Sequence, residues 1–400
     1  MSFVPARRSK MKYWLFKVVD QIDFQKKSQE SISKELGISG PAFSKNLSGK
    51  SELNFLNVVK LVELLYEDPL EKNYMIHEFC KKTKSKKNLR IAMEYGNALG
   101  DLELLRIAIQ RGFESNNSKT YEWAYIYELV WLRAKKFFTA EKLLTETENR
   151  KKSKVLKNEE TKIMFDILTL YSMYDCRDFK LLDGYIQTLQ EKISELSSQF
   201  IKDIYSSRVK EWYAYALLMD EQIEKSRELC HSILNVNDEL GYLRLLKISA
   251  LGYLGESYVE NYEQSLWYLN KGIEMLDQLS YEKAENRKKE FLNMRSYIRI
   301  IHQKDMYDLQ IFDVGEKALL YIVTGEKEKA ATILRKYEKE NGSLSPMKLC
   351  YLGMALEDRK LLEKSIELFY SQGCKFYSYL PRKILVDINK NSIIYKGDAK

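Results

Sequence analysis

Residues 70 to 345 contain no proline, and this 276-residue gap constrains the fold more than any other feature of the sequence. The whole chain has five prolines and 17 glycines, where average usage predicts about 20 and about 28. Proline stops helices and also marks the turns of all-β folds. The gap therefore predicts one helix after another, and it argues against an immunoglobulin-like sandwich, a propeller or a Gly-rich dinucleotide-binding fold.

The composition supplies a large core, because 45% of the residues are hydrophobic and 49 are aromatic, which excludes global disorder. No apolar run approaches the ~18 residues needed to cross a bilayer, and the basic N-terminus is not followed by the apolar segment of a signal peptide. The five cysteines form no CxxC pair, and there are only three histidines. We therefore expect a cytoplasmic protein with free thiols, no metal site and no cofactor.

The positive charge is concentrated in the first quarter of the chain. The net charge is +8, and residues 1–90 alone hold 18 basic and 10 acidic side chains, so that the remaining 310 residues are neutral overall. A polyanion responds to a local basic face rather than to the total charge of a protein. This asymmetry favours nucleic acid as a partner of the N-terminal segment.

Residues 29–50 carry a helix-turn-helix pattern, QESISKELGISGPAFSKNLSGK. Gly37 lies between two short segments with apolar faces, where the turn requires a left-handed backbone. Ser39 is a good N-cap, and Pro41 falls in the first helical turn, where its missing N–H costs little. The pattern resembles the helix-turn-helix of the repressor family of DNA-binding proteins. The residues that carry this resemblance are Gln29, Ser33 (in place of the usual alanine), Gly37 and Phe43.

The second helix of this motif, about Ser39–Leu47, is expected to enter the major groove of double-stranded DNA with its first residues facing base edges. Ser44 and Lys45 can hydrogen-bond to bases, and Ala42 can contact a thymine methyl group. Few of these side chains can pair bidentately with a base, so much of the affinity should be electrostatic and salt-sensitive. The candidate DNA-contacting residues, including those expected to reach phosphates, are Gln29, Ser31, Lys34, Ser39, Pro41, Ala42, Ser44, Lys45 and Lys50.

A further helix over about Leu53–Tyr66 is expected to complete the DNA-binding domain, and a second basic stretch follows it. This stretch either flanks the bound duplex or is a charged connection to the next domain, and the sequence does not separate the two. Its cations are Lys81, Lys82, Lys84, Lys86, Lys87 and Arg90.

From about residue 88 a helical pattern recurs, in which a small residue precedes a face rich in Leu, Ile or Tyr. The spacings of 39 residues (Ser226 to Ser265) and 35 residues (Ala330 to Ser365) bracket a degenerate tetratricopeptide repeat of ~34 residues. A small residue lets the two helices of a hairpin approach closely, and such hairpins stack into a superhelix with a concave surface. The small residues are Ala140, Ser226, Ser265, Ala330 and Ser365.

The sequence contains no GxSxG motif, no P-loop, no HExxH motif and no Gly-rich phosphate cradle. Cys230 and His231 are adjacent, but neighbouring residues on a helix point about 100° apart and cannot form a nucleophile–base pair. We therefore expect no enzyme activity and no catalytic residues. Most of the aromatic residues are expected in the core between repeats, and the concave surface is expected to bind an extended peptide.

The order of a helix-turn-helix followed by a tetratricopeptide-like array is similar to that of the peptide-sensing regulators of Gram-positive bacteria and their phages. Within that group the chain most resembles the arbitrium receptors (AimR-type) of Bacillus phages. The segments that carry the resemblance are NYMIHEFCKKTKSKKNLRIAMEYGNALGDLELLRIAI (73–109), YLGESYVENYEQSLWYLNKGI (253–273) and SIELFYSQGCKFYSYLP (365–381).

The resemblance implies a homodimeric transcription regulator that binds its operator when free. A short secreted peptide of about six residues binds the array and ends productive DNA binding, which switches the phage from lysis to lysogeny. The family's peptide-clamping Arg matches Arg244, and an aromatic near the C-terminus matches Phe376. Positions that are Asn in the family fall on Tyr215, Met219 and Glu256, and a family Asp falls on Cys374. The peptide-binding residues implied here are Tyr215, Arg244, Glu256 and Phe376.

We expect an all-α protein with two domains. Residues 1–80 would form the helix-turn-helix DNA-binding domain with a basic N-terminal arm, and residues 81–400 a tetratricopeptide-like α-solenoid for peptide sensing and dimerisation. The polar C-terminal end, 393–400, weakens the apolar dimer contact that the family uses. Two alternatives stay open, a helical scaffold that binds a partner protein and a DNA-binding regulator controlled by a protein antagonist.

Overall fold

The computed structural model describes residues 10–153, 156–176, 183–279 and 281–397. Within these ranges all regular secondary structure is helical, with 21 α-helices, one 3-10 helix and no strand. The expected all-α class is therefore confirmed, and helices occupy most of the proline-free segment. In the described part of the chain, no helix combines the length and apolarity needed to cross a bilayer. The basic N-terminal arm and the side chains of 389–400 lie outside what the structure describes.

The predicted helix-turn-helix forms where the sequence places it. Its turn uses Gly37 at a φ of +67°, and the Ser39 side chain accepts a hydrogen bond from the backbone N–H of Ala42, with Pro41 in the first turn of the helix that follows. Proline begins two more helices, at Pro69 and Pro346, which agrees with its tolerance at the first helical position. The first five helices are α1 (Lys10–Phe24), α2 (Gln29–Glu35), α3 (Gly40–Leu47), α4 (Phe55–Leu65) and α5 (Pro69–Lys82).

An aromatic core holds these five helices together and fixes the orientation of α3. Trp14 on α1 donates a hydrogen bond of 2.9 Å to the Met75 carbonyl on α5, and its ring centroid lies 5.1 Å from that of Phe79. Phe43 on α3 and Phe55 on α4 are fully buried. Large aromatic side chains bury the most apolar area per residue, so the position of α3 is set by its inward face.

The remaining helices continue to the end of the described chain, mostly as antiparallel hairpins. They are α6 (Lys86–Leu99), α7 (Leu102–Phe113), α8 (Ser118–Ala134), α9 (Ala140–Lys151), α10 (Glu159–Asp175), α11 (Asp183–Ser194), α12 (Gln199–Met219), α13 (Ile223–Leu234), α14 (Arg244–Ser257), α15 (Tyr262–Leu276), α16 (Glu282–His302), α17 (Val314–Val323), α18 (Lys327–Asn341), α19 (Pro346–Leu356), α20 (Arg359–Ser371), the 3-10 helix Lys375–Ser378 and α21 (Tyr379–Gly397).

Three of the small residues predicted from the repeat pattern join the two helices of a hairpin. Ser226, Ser265 and Ser365 are each fully buried. Each hydroxyl donates a hydrogen bond of 2.7 Å to a carbonyl of the preceding helix, from Ala214, Gly255 and Pro346 respectively. The hydroxyl can reach that carbonyl only because no larger side chain separates the helices. Ala330 is also fully buried, whereas Ala140 is half-buried at the start of α9.

Two glycines allow α14 and α15 to pack closely on α16. A Cβ added at Gly272 would lie 2.2 Å from the Phe291 ring, and one added at Gly252 would lie 2.9 Å from it. Both distances are shorter than any real carbon–carbon contact, so a side chain at either position would displace Phe291. This packing positions α16 along the cavity described below.

The chain divides into two compact units. The first comprises Met1–Thr169, Lys192–Tyr205 and Asn237–Arg244, and the second comprises Leu170–Glu191, Ser206–Val236 and Leu245–Lys400. The division into a DNA-binding domain over residues 1–80 and a sensing domain over 81–400 is a statement about function and stays a prediction.

Candidate functional site

The outward surface of α2 and α3 presents nearly all of the predicted DNA contacts. Of the nine residues, eight are exposed and Ala42 is half-buried. Ser44 and Lys45 stand on the face of α3 opposite to Phe43 and Asn46, which point into the core. The exposed residues are Gln29, Ser31, Lys34, Ser39, Pro41, Ser44, Lys45 and Lys50. Their contact with DNA stays a prediction.

Short polar contacts hold this surface in place. Ser33 is buried and donates a hydrogen bond of 2.9 Å to the Glu30 carbonyl, so the residue that replaces the usual alanine keeps its hydroxyl satisfied within α2. The side chain of Asn46 donates a hydrogen bond of 2.9 Å to the Ser51 hydroxyl, which fastens the end of α3 to the loop after it. Sequence reasoning missed Asn46, because nothing local distinguishes a buried amide from an exposed one.

The second unit contains a cavity of about 700 Å³, within the ~300–1,000 Å³ typical of ligand clefts. Helices α12, α14, α16, α17 and α19 contribute to its wall, together with the segment around the 3-10 helix. Its lining is strongly aromatic, with tilted tyrosine rings such as those of Tyr174 and Tyr215, whose ring centroids are 4.9 Å apart. The aromatic lining residues are Tyr174, Tyr215, Tyr253, Tyr297, Tyr351, Tyr377, Tyr379, Phe291, Phe369 and Phe376.

The charged lining residues are mostly acidic. Among the described lining residues there are four carboxylates and a single guanidinium, that of Arg287. Arg287 donates hydrogen bonds of 2.9 Å to Glu290 and 3.0 Å to Ser249, so this one cation is already committed to the wall. The acidic lining residues are Asp175, Glu256, Glu290 and Glu316. The cavity therefore favours a ligand with a positive charge and apolar or aromatic side chains.

Among these carboxylates, Glu256 combines a hydrogen bond across the cavity wall with a raised pKa. It accepts a hydrogen bond of 2.7 Å from the Tyr377 hydroxyl. Burial raises the pKa of Glu256 to about 7, and the hydrogen bond from Tyr377 opposes that rise. The residue can therefore be neutral or charged near neutral pH, and a cation beside it would favour the charged form.

The structure brings together three of the four predicted peptide-binding residues. Tyr215, Glu256 and Phe376 all line the cavity. Arg244 does not line it, because it is the first residue of α14 and its guanidinium lies against Gly241. The family's clamping role for Arg244, and the binding roles of the other three, stay predictions.

Two polar atoms of the cavity wall have no hydrogen-bond partner among the described residues. They are the hydroxyl of Tyr351, which is fully buried, and Oε2 of Glu316. Burial raises the pKa of Glu316 to about 7, with a further contribution from Asp313. An unpaired buried polar group costs about 1–3 kcal/mol, so a ligand that pairs with these atoms would recover that cost.

The C-terminal segment crosses one side of the cavity and is fastened by ion pairs that the sequence did not predict. Lys375 lies 2.6 Å from Asp220, and Arg382 pairs with Glu221, in the turn between α12 and α13. The partners are more than 150 residues apart in the chain. Such pairing has no local signal in the sequence. Arg287 was missed for a related reason, since its Lys- and Glu-rich surroundings are typical of a solvated helix face.

Among the described residues, no group of three or more His, Cys, Asp or Glu side chains is arranged to hold a metal ion. The thiol next to His231 is not activated, because burial raises the pKa of Cys230 to about 12.

Comparisons with known proteins agree with this arrangement. The family model described as AimR transcriptional regulator-like matches residues 72–386. The chain is 44% identical over 259 residues to the uncharacterized protein pXO2-35 of Bacillus anthracis, which covers 64% of this chain and 96% of that one. It is 23% identical over 360 residues to the AimR transcriptional regulator of Bacillus phage SPbeta, covering 86% of this chain and 88% of the relative.

Solved structures show the same fold. The structure of SeMet-phAimR superimposes with a TM-score of 0.70 at 18% identity and covers 95% of this chain and 97% of its own. The structure of phAimR-Ligand gives a TM-score of 0.71 at 19% identity, with coverage of 85% and 99%. The helical solenoid-like fold expected from the sequence is confirmed.

Proposed function

The chain belongs to the AimR transcriptional regulator-like family, and from this premise we propose that it is a peptide-responsive DNA-binding regulator of the arbitrium-receptor type. In the free state it binds an operator through α2 and α3. A short secreted peptide then binds the cavity of the second unit and ends productive DNA binding. The regulated decision is that between phage lysis and lysogeny.

The proposal that the chain binds a peptide rests on the aromatic, acidic cavity. A volume of about 700 Å³ and a wall of tyrosines suit a short chain with apolar side chains, since aromatic faces bind such groups at low cost in side-chain entropy. In the part of the wall that the structure describes, four carboxylates against one guanidinium favour a cationic group. Glu256 is our choice for the partner of that cation, because it lines the cavity and titrates near neutral pH.

The exposed surface of α2 and α3 supports the DNA-binding part. Ser44 and Lys45 are free to meet base edges in a major groove, and Gln29, Ser31 and Lys34 lie on the exposed side of α2, where they can position the protein on the phosphates. We further propose that the regulator acts as a homodimer, because two half-sites give a helix-turn-helix protein its operator spacing. Light scattering of the free protein measures that stoichiometry.

Peptide and DNA need not touch to influence each other. A ligand shifts an equilibrium between two states only by as much as its affinity for those states differs. By linkage, operator DNA must weaken peptide binding by the same factor by which peptide weakens DNA binding. This reciprocity distinguishes a peptide-gated regulator from a scaffold.

The test measures fluorescence anisotropy of duplexes from the region upstream of the gene, at low salt, with and without peptides encoded immediately downstream. We expect binding by the free protein, and loss of that binding on addition of one peptide. Ser44→Ala with Lys45→Ala should weaken DNA binding and keep peptide binding, whereas the matched pair Ser371→Ala with Lys364→Ala should change neither. If the free protein does not raise the anisotropy of any upstream duplex, the proposal of a DNA-binding regulator is wrong. DNA binding that no peptide affects would instead favour control by a protein antagonist.

A further inference from the structure

The second basic stretch, whose role the sequence left open, contains two kinds of cation. Lys81 and Lys82 are paired with Glu78 on their own helix, and Arg90 donates a hydrogen bond of 2.8 Å to the Thr120 hydroxyl. These three stabilise local structure. Lys84, Lys86 and Lys87 form no ion pair within the described ranges, and Lys84 and Lys87 are exposed. We call the segment Lys84–Lys87 the basic turn.

A partly buried polar network holds the basic turn against the segment that follows α3. Glu52 accepts hydrogen bonds from the backbone N–H groups of Lys84, at 2.9 Å, and of Ser85, at 3.3 Å. Asn88, just after the turn, accepts a hydrogen bond of 2.9 Å from the N–H of Phe55 and donates one of 2.9 Å to the Leu53 carbonyl. Since both ends of the turn are fixed, its lysines stay beside the loop that carries Lys50.

The basic turn thus holds three lysines beside the segment that follows α3, where the single carboxylate of Glu52 meets the backbone of the turn. Lys45 and Lys50 are exposed and, in the described part of the chain, unpaired. The first turn of α6 contains no acidic residue, and cations at that end of a helix are disfavoured by the helix dipole, by about 0.3–1 kcal/mol each at most. Lys86 and Lys87 therefore do not serve the stability of α6. If the segment were only a charged connection between domains, nothing would require hydrogen bonds between it and the loop that follows α3.

We propose that the basic turn binds the phosphate backbone of the DNA flanking the base pairs that α3 reads. This inference rests on the proposed DNA-binding function and adds a second contact surface to it. Lysine side chains bind phosphates as point charges and carry no base specificity. The turn therefore contributes affinity and a salt dependence, and leaves sequence preference to α3.

The test compares two triple variants of the full-length chain on the same upstream duplex. The first is Lys84→Gln, Lys86→Gln and Lys87→Gln. The control, Lys317→Gln, Lys339→Gln and Lys364→Gln, removes the same charge from exposed positions of the array. Each lost phosphate contact lowers the slope of log K against log salt by about 0.9. We expect the magnitude of this slope to be smaller by about two to three in the first variant than in the wild type, and to be unchanged in the control.

Hydroxyl-radical footprinting gives a second readout. The first variant should lose protection outside the central base pairs, while its preference for the operator over base-substituted duplexes stays unchanged. Its melting temperature should be equal to or above that of the wild type. Equal salt slopes and footprints for the two variants would show that the basic turn does not bind phosphates. The proposed DNA-binding function would not be affected by that result. A wild-type chain that binds no upstream duplex would overturn both.

Discussion

The hydroxyl of Tyr377 donates a hydrogen bond of 2.7 Å to the carboxylate of Glu256, across 121 residues of sequence. The bond joins α14 to the 3-10 helix on the wall of the acidic cavity. Burial raises the pKa of Glu256 to about 7, and burial followed by the charge of Glu256 raises that of Tyr377 well above its usual value. The pair therefore links the stability of this wall to pH and to the charge of a bound ligand.

Stability should fall as pH rises through the titration of Glu256. The folded chain holds this proton more tightly than the unfolded chain, whose Glu has a pKa near 4.5. The stabilisation is fully present below about pH 4.5 and is lost as pH rises to about 7, with an upper bound on the order of 3 kcal/mol. Urea denaturation of wild type and Glu256→Gln between pH 4.5 and 8 measures this, because the variant should show a smaller decline. The remainder comes from Glu316, whose pKa is also raised to about 7. If the free energy of unfolding depends on pH in the same way in both proteins, Glu256 is not the titrating group. Glu263→Gln, on the exposed face of α15, is the control.

Ligand affinity should depend on pH in the opposite direction. A cationic peptide favours the ionised form of Glu256, so its dissociation constant should decrease as pH rises from about 6 to about 8. Calorimetric titration should show a smaller effect in Glu256→Gln than in the wild type, because the amide does not titrate and Glu316 is then the remaining lining carboxylate whose pKa is raised to about 7. A peptide of the same length without a positive charge should show a flat profile in both proteins. If the cationic peptide binds Glu256→Gln as tightly as wild type at pH 8, Glu256 is not its partner.

The ion pairs of Lys375 with Asp220 and of Arg382 with Glu221 should control how fast a ligand leaves the cavity. Exposed pairs contribute about 0–1 kcal/mol each to stability, so Asp220→Lys with Glu221→Lys should unfold at nearly the wild-type denaturant concentration. The repelled C-terminal segment should open more often, and peptide dissociation in stopped flow should be about fivefold faster. Adding Lys375→Asp and Arg382→Asp restores complementary charges and should restore the slow rate. Unchanged dissociation in the first variant would show that the segment does not cover the exit.

The sequence predicts those parts of the structure that depend on local signals. Gly37, Ser39 and Pro41 define the turn and the start of α3 through backbone preferences that act within four residues. The hairpin serines are predictable because a close helix crossing requires a small residue at a fixed spacing. Arg287, Tyr351 and the pairing of Lys375 with Asp220 could not be predicted, since their roles arise from side chains that the fold brings together from distant helices.

The hairpin serines give a graded test of that crossing. Ser265 is fully buried, and its hydroxyl donates a hydrogen bond of 2.7 Å to the Gly255 carbonyl. Ser265→Ala loses this bond and should lower the free energy of unfolding by about 1 kcal/mol. Ser265→Leu must also force the two helices apart, and overpacking of this kind costs about 1–3 kcal/mol more. Equilibrium denaturation ranks the variants, and a leucine tolerated as well as alanine would show that the helices are not in close contact.

Two glycines three residues apart should respond in opposite ways to the same substitution. Gly37 has a φ of +67°, and a Cβ there would meet no atom within 4 Å, so only backbone strain opposes Gly37→Ala. Left-handed backbone costs an L-residue about 1–2 kcal/mol. Gly40 begins α3 with an ordinary φ, and its added Cβ would lie 3.9 Å from the Ser33 hydroxyl, an ordinary contact. Gly40→Ala should therefore stabilise the chain by about 0.4–1 kcal/mol, because alanine loses less backbone entropy on folding. Thermal unfolding of the two variants measures the contrast, and a shift of the same sign in both would mean that the turn does not have the helix-turn-helix geometry.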